Sequence, residues 1–191
     1  HEARVQKVME MHPEKWEAKK KYGGEIYVEK KFPQIEYLSD GPAVYEFDGY
    51  KTFSLPGAYS VDKWYRLNHG WAWFEDEQLS EEEMNTGRKI KEVEPEIDLV
   101  ISHTCPISYE PRDLFLPYIS QETVDKRMEQ YLGEIEEGLS YKRWAFGHFH
   151  ADRLYPWKDG RQMLMLFNRS VVDLQKFMHM TEKDGLQDIL A

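Results

Sequence analysis

Two short runs decide the architecture. They are Ile97-Asp98-Leu99-Val100-Ile101-Ser102, followed at once by His103, and Trp144-Ala145-Phe146, followed by Gly147-His148-Phe149-His150. Both are apolar, and the first is rich in β-branched residues, so both read as buried strands. Helical patterns flank them. Ser80-Glu81-Glu82-Glu83 has the form of a capping box and opens a polar helix that must stop before Pro95. Val124, Met128, Leu132, Ile135 and Leu139 mark one face of a helix spanning about 121–138. Further out, residues 43–47 and 50–55 flank Asp48-Gly49, the strongest hairpin signal in the chain. Residues 163–167 and 171–177 read as a closing pair of strands, and the tail beyond Met180 as a short helix or a frayed end. Residues 3–22 read as helical, with a break near His12-Pro13 and a stop at Gly23-Gly24. Residues 56–78, aromatic and without a period, read as one long loop. The succession predicts an α/β layered domain whose post-strand loops carry the chemistry.

The 191 residues carry 25 Lys and Arg against 35 Asp and Glu, a formal charge of −10 at pH 7. That length predicts a single domain with a core of its own. A lone cysteine, Cys105, cannot close an internal disulfide, which excludes a disulfide-built scaffold and predicts a reducing, cytoplasmic setting. No apolar run is long enough to span a membrane, and no secretory h-region follows His1-Glu2-Ala3-Arg4. The acidic balance argues against a broad surface that tracks nucleic-acid phosphates, while leaving room for one phosphate at a local site.

Three of the seven histidines sit directly after the predicted strands. His148 and His150, at i and i+2, are expected to project to one side of an extended backbone, and His103 to converge on them from the neighbouring strand end. Neutral imidazole is the commonest protein ligand for Zn, Mn or Fe ions. The alternative is that these are hydrogen-bonded loop residues. Cys105 reads as a small packed residue rather than a nucleophile, since no motif supplies it with a base.

Gly147-His148-Phe149-His150 resembles the Gly-His-x-His motif of the calcineurin-like metallophosphoesterases, and Ser102-His103 resembles that family's isolated histidine. His1-Glu2 is similar to the end of its Gly-Asn-His-Glu motif. Pro56-Gly57-Ala58-Tyr59-Ser60-Val61-Asp62-Lys63, followed by Arg66, Gly70, Trp73-Phe74 and Glu77, is similar to a Gly-Gly-Ala-x-Ser-x-Asp-Lys stretch and its Trp-rich sequel in a phage and bacterial branch. The blocks keep the family's order over residues 1 to about 175. The family's front motifs, Asp-x-His and Gly-Asp-x-x-Asp, do not occur in the chain. Residues 1–191 are therefore expected to be the C-terminal larger part of a single metallophosphoesterase domain, inactive alone, whose first βαβ portion lies upstream of His1.

The resemblance implies a layered β-sandwich flanked by helices and a centre of two divalent ions drawn from Mn, Fe, Zn and Ni. His103 and His148 would ligate one ion and His150 the other, with a metal-bridging hydroxide as nucleophile. His1 would protonate the leaving oxygen, with Glu2 orienting it. Lys63 and Arg66 are candidates for phosphate oxygens; the alternative is a solvated cation or a partner for Asp62. Tyr59, Trp71 and Trp73 either line the substrate cleft or pack under their own loop. The implied reaction is phosphate monoester hydrolysis of the protein-phosphatase kind, on a phosphorylated small molecule or phosphoprotein. The alternatives are a phosphodiesterase or nuclease of the same family, or a non-catalytic scaffold on the same fold.

Overall fold

In the computed structural model, which describes residues 4–115, 121–167 and 169–191, the two apolar runs are neighbouring strands of a six-stranded mixed sheet. The first half of the chain runs α1 (Val5–Met11), β1 (Trp16–Lys21), β2 (Gly24–Glu29), β3 (Glu36–Tyr37), β4 (Ala43–Phe47), β5 (Tyr50–Leu55), α2 (Lys63–Asn68) and α3 (Glu81–Val93). The second half runs β6 (Glu96–Ser102), α4 (Arg127–Gly138), β7 (Ser140–Phe146), β8 (Arg153–Leu154), β9 (Gln162–Met165), α5 (Leu174–His179) and α6 (Leu186–Ile189). The protein is thus mixed α/β. Among the described residues no helix is long and apolar enough to cross a membrane.

The large sheet has the order β4-β5-β6-β7-β9-β8. Its four middle strands are parallel, with antiparallel β4 and β8 at the edges. Parallel strands are buried on both faces, which is why β6 and β7 read as continuous apolar runs. Alternate residues serve opposite layers. Val100, Trp144 and Met163 pack with Met128, Leu132 and Ile135 of α4. Leu99 and Leu164 pack with Phe177 of α5 and Ile189 of α6 on the other side. The small antiparallel sheet, β1-β2-β3, meets the large one where Ile26 and Val28 cover Tyr45 of β4.

Local signals placed several elements well. Asp48 and Gly49 turn the β4–β5 hairpin at φ 51° and 83°. The Ser80 hydroxyl accepts from the Glu83 amide while the Glu83 carboxylate accepts from the Ser80 amide, completing the capping box of α3.

Four expectations need correction. Residues 3–22 are not one helix: α1 ends at Met11 before Pro13, and β1 pairs residue by residue with β2 across a Tyr22-Gly23 turn. Glu17, Ala18 and Lys19–Lys21 favour helix intrinsically, but the β-branched partner strand overrides that preference. Residues 171–177 are not a strand, because the Asp173 carboxylate accepts from the Lys176 amide and caps α5; β9 pairs with β7 and β8 instead. The 56–78 segment contains the short helix α2. The helix expected from about 121 begins at Arg127.

One close contact ties α3 to α4. A Cβ on Gly87 would lie 1.8 Å from the Tyr131 hydroxyl and 3.3 Å from Pro42 Cβ. Tyr131 is fully buried, and its hydroxyl finds no hydrogen-bond partner among the described residues. Gly87→Ala is expected to cost about 1–3 kcal/mol through overpacking. Tyr131→Phe, which deletes an unsatisfied buried hydroxyl, is expected to be neutral or stabilising and to recover most of that loss in the double variant. Urea denaturation of the three variants checks this, and a Gly87→Ala protein as stable as the parent would contradict the packing.

Candidate functional site

The four parallel strands end in one row. Leu55 pairs with Ser102, Ser102 with Phe146, and Phe146 with Met165. The loops leaving that row start side by side, and open α/β sheets bind ligands in the crevice beyond such carboxyl ends. Here the crevice is an open cleft of about 330 Å³, walled by Gly57, Ala58, Glu77, His103 and His148 together with Arg4 and Asp40.

His103 follows β6 and His148 follows β7 by one residue, and their rings meet edge to face with centroids 5.2 Å apart. The Gly147 amide donates to the His103 carbonyl at 3.0 Å, lashing the two loops together. Beneath them the Ser102 hydroxyl accepts from the Trp144 indole at 2.7 Å and donates to the Thr104 carbonyl at 2.5 Å. Thr104, buried, donates in turn to the Glu129 carboxyl at 2.7 Å.

The extended backbone expected at His148 and His150 is absent. Both residues take left-handed conformations, φ 69° and 55°, in a bend beyond the strand. Non-glycine residues adopt this region at a cost and concentrate at functional sites. The bend, rather than strand alternation, aims the rings. His148 turns into the cleft beside His103, while His150 is exposed and rests against Phe167, centroids 5.0 Å apart.

Electrostatics favour uncharged imidazoles. Surrounding protein lowers the His103 pKa although one side of the ring stays open to the cleft, and the Glu77 charge only partly opposes this. Burial pushes His148 down to about 4, reinforced by His103 and His150. Both rings are neutral at pH 7, the state in which imidazole ligates a metal. Together they supply two nitrogen donors of the kind Zn, Mn, Fe and Ni accept. Among the described residues no group of three or more His, Cys, Asp or Glu is arranged to hold an ion.

The 56–78 segment is gathered around Glu77. Its carboxylate accepts from the Ser60 amide at 2.7 Å, the Ser60 hydroxyl at 2.8 Å and the Trp73 indole at 3.1 Å. Gly57, at φ 96°, passes so close that a Cβ there would lie 3.2 Å from the Glu77 carbonyl. Lys63 places its ammonium 3.9 Å from the Trp73 ring centroid. Arg66 pairs with Asp62 at 2.8 Å and reaches the Ala72 carbonyl at 3.5 Å, so it is engaged by its own loop. Trp73 stands behind the cleft wall through Glu77, and Trp71 lies on the open surface. Cys105 is fully buried and burial raises its thiol pKa, in keeping with a packed residue. His1 and Glu2 lie outside the described residues.

Among the wall residues Arg4 and Asp40 were not singled out in the sequence, and Glu77 was named there only as part of the family-like stretch, without a role. Arg4 donates to the Asp76 and Gln78 carbonyls and pairs with Glu83, partners more than seventy positions away, so no local pattern marks it. Glu77 has one local signal, its i+4 spacing from Trp73.

The depressed His148 pKa has a definite consequence for the metal-free protein. The unfolded chain takes up this proton near 6.5, and the folded one only near 4. Between those values the unfolded state binds more protons, so this contribution is complete above about 6.5 and is lost as pH falls toward 4. Denaturation of the parent and of His148→Gln across pH 4–7 is expected to show the shallower loss in the variant; parallel curves would contradict the assignment.

Compared with models of known protein families and with curated proteins, the chain matches none of them.

Proposed function

We propose that the protein is a metal-dependent phosphoester hydrolase of the calcineurin-like metallophosphoesterase kind, with its layered β-sandwich fold, acting on phosphate monoesters. The observation that carries this reading is the meeting of His103 and His148 at two adjacent parallel strand ends, both neutral and both facing an open cleft. The order of motifs along the chain supports it.

On this reading His103 and His148 would hold one divalent ion and His150 the other. Such ions, when bound, neutralise phosphate charge and bring the pKa of a coordinated water near neutrality. The chain's own residues do the rest. The Gly147–His103 and Ser102–Trp144 hydrogen bonds hold the two loops that carry the rings before any ligand arrives, so less ordering remains to be done on binding. Glu77 holds the 56–78 segment against the cleft, and with it Lys63, whose ammonium meets a phosphate oxygen. His1 would give a proton to the leaving oxygen, a role imidazole side chains fill most often.

The protein at its full natural length, supplied with Mn²⁺, is expected to hydrolyse an aryl phosphate monoester faster than the corresponding diester. Chelator should abolish turnover, and His148→Ala should lower it by more than about tenfold, the loss already seen when a mere outer-shell partner of a metal ligand is removed. Turnover indifferent to chelator would overturn the metal requirement. Intact esters under all conditions would favour a binding module on the same scaffold.

A further inference from the structure

Strand β1 is the outer strand of the small sheet. The order β1-β2-β3 gives it one neighbour, and among the described residues no strand pairs with its other side. Glu17, Ala18, Lys19, Lys20 and Lys21 are all exposed, the single methyl of Ala18 included. Strand β2 beside it is buried through Ile26, Tyr27 and Val28. An open edge on a well-anchored strand is a template for a further strand.

The hairpin's hydrogen bonds fix which residues that edge offers. The Lys30 amide donates to the Lys15 carbonyl at 2.8 Å, and the same register continues from Trp16 opposite Glu29 to Lys21 opposite Gly24. In an antiparallel ladder, bonded and unbonded pairs alternate. Glu17, Lys19 and Lys21 therefore turn their backbone groups toward β2, while Trp16, Ala18 and Lys20 turn theirs outward. A further antiparallel strand must set its own outward-facing residues opposite these.

We propose that the edge of β1 pairs with β1 of a second copy of this chain, antiparallel, with Ala18 facing Ala18 on a two-fold axis. In that register Glu17 of each copy stands opposite Lys19 of the other, and Trp16 opposite Lys20. Glu17 and Lys19 share a face, as their 3.1 Å contact within one strand shows, and they fall at an unbonded pair, where side chains come closest. Trp16 is held edge to face against Tyr37, centroids 5.4 Å apart, and presents its ring to the Lys20 ammonium. The smallest shift that keeps outward groups opposed sets Glu17 against Glu17 or Lys19 against Lys19 on the axis, and like charges directly opposite are destabilising. Lys21, which approaches Lys15 of the other copy, is already paired with Glu36 at 2.6 Å. Lysines on an edge strand ordinarily deter any partner. Here Glu17 breaks the run of one sign, and an antiparallel copy presents the matching order. The two small sheets then join as one through an isologous contact that does not involve the cleft.

The test is sedimentation equilibrium of the protein at its full natural length, with circular dichroism as the check on folding. The parent is expected to dimerise reversibly below about 1 mM. Ala18→Pro removes an outward-facing amide and no bond to β2, and should leave a monomer with the parent's spectrum. Glu17→Lys and Lys19→Glu should each weaken the dimer at least about tenfold, since by symmetry each turns two attractive pairs repulsive. Mixed together, these two charge variants should associate with each other as well as the parent does with itself, because every pair is again of opposite sign. If Ala18→Pro loses the parent's spectrum, the charge variants and their mixture decide the question. The proposal falls if the parent stays monomeric up to about 1 mM, if a folded Ala18→Pro protein still dimerises, or if the mixed charge variants stay apart.

Discussion

Everything at the cleft depends on the register that holds Ser102 between Leu55 and Phe146. A strand advances about 3.3 Å per residue, so a slip of one position would separate His103 from His148 and send each core side chain to the opposite face. The layers on both sides forbid that slip. Val100 and Trp144 are fully buried toward α4, while Leu99 and Leu164 are buried toward α5 and α6. Moving either strand would strip apolar area on both faces at about 25 cal/mol per Å². Core packing therefore sets the distance between two histidines that belong to no core.

The same burial also sets their charge state. Behind the His103 turn lie Thr104, Cys105 and Glu129, all buried, and Glu129 Oε2 finds no hydrogen-bond partner among the described residues. Burial raises the pKa of Glu129 and of Cys105 while it lowers those of His103 and His148. Desolvation is the leading cause at each of the four groups, and it penalises whichever form is charged. Ion pairs stand both at the cleft, where Arg4 meets Asp76 and Glu83, and away from it, as between Arg88 and Glu134 or Lys142 and Asp98.

Legibility in the sequence followed the range of the determining interaction. Strands β6 and β7 were readable because burial on both faces leaves an apolar run in the residues themselves. The β4–β5 hairpin and the α3 cap were readable because Asp48-Gly49 and Ser80–Glu83 act within four positions. Strand β1 was not: Glu17, Ala18 and three lysines carry a helical preference, and only Ile26-Tyr27-Val28 across the turn makes them extended. At the site, His103 and His148 stood out as residues following strands, but Glu77 and Arg4 gain their meaning from distant partners.

The bend at residues 147–150 shows how a costly conformation is held. Two left-handed non-glycine residues cost of order 1–3 kcal/mol each and persist only when their surroundings over-determine them. Phe149, between them, supplies that restraint. Its ring lies 6.2 Å from Phe146, 6.1 Å from Phe115 and 5.0 Å from His148, and it packs against the main core. Driving one side chain inward forces the backbone on either side to turn, and the Gly147 amide bonded to His103 fixes where the turn begins. The apolar residue inside the Gly-His-x-His run is thus a peg set into the core, with His148 turned to the cleft on one side of it and His150 to the open surface on the other.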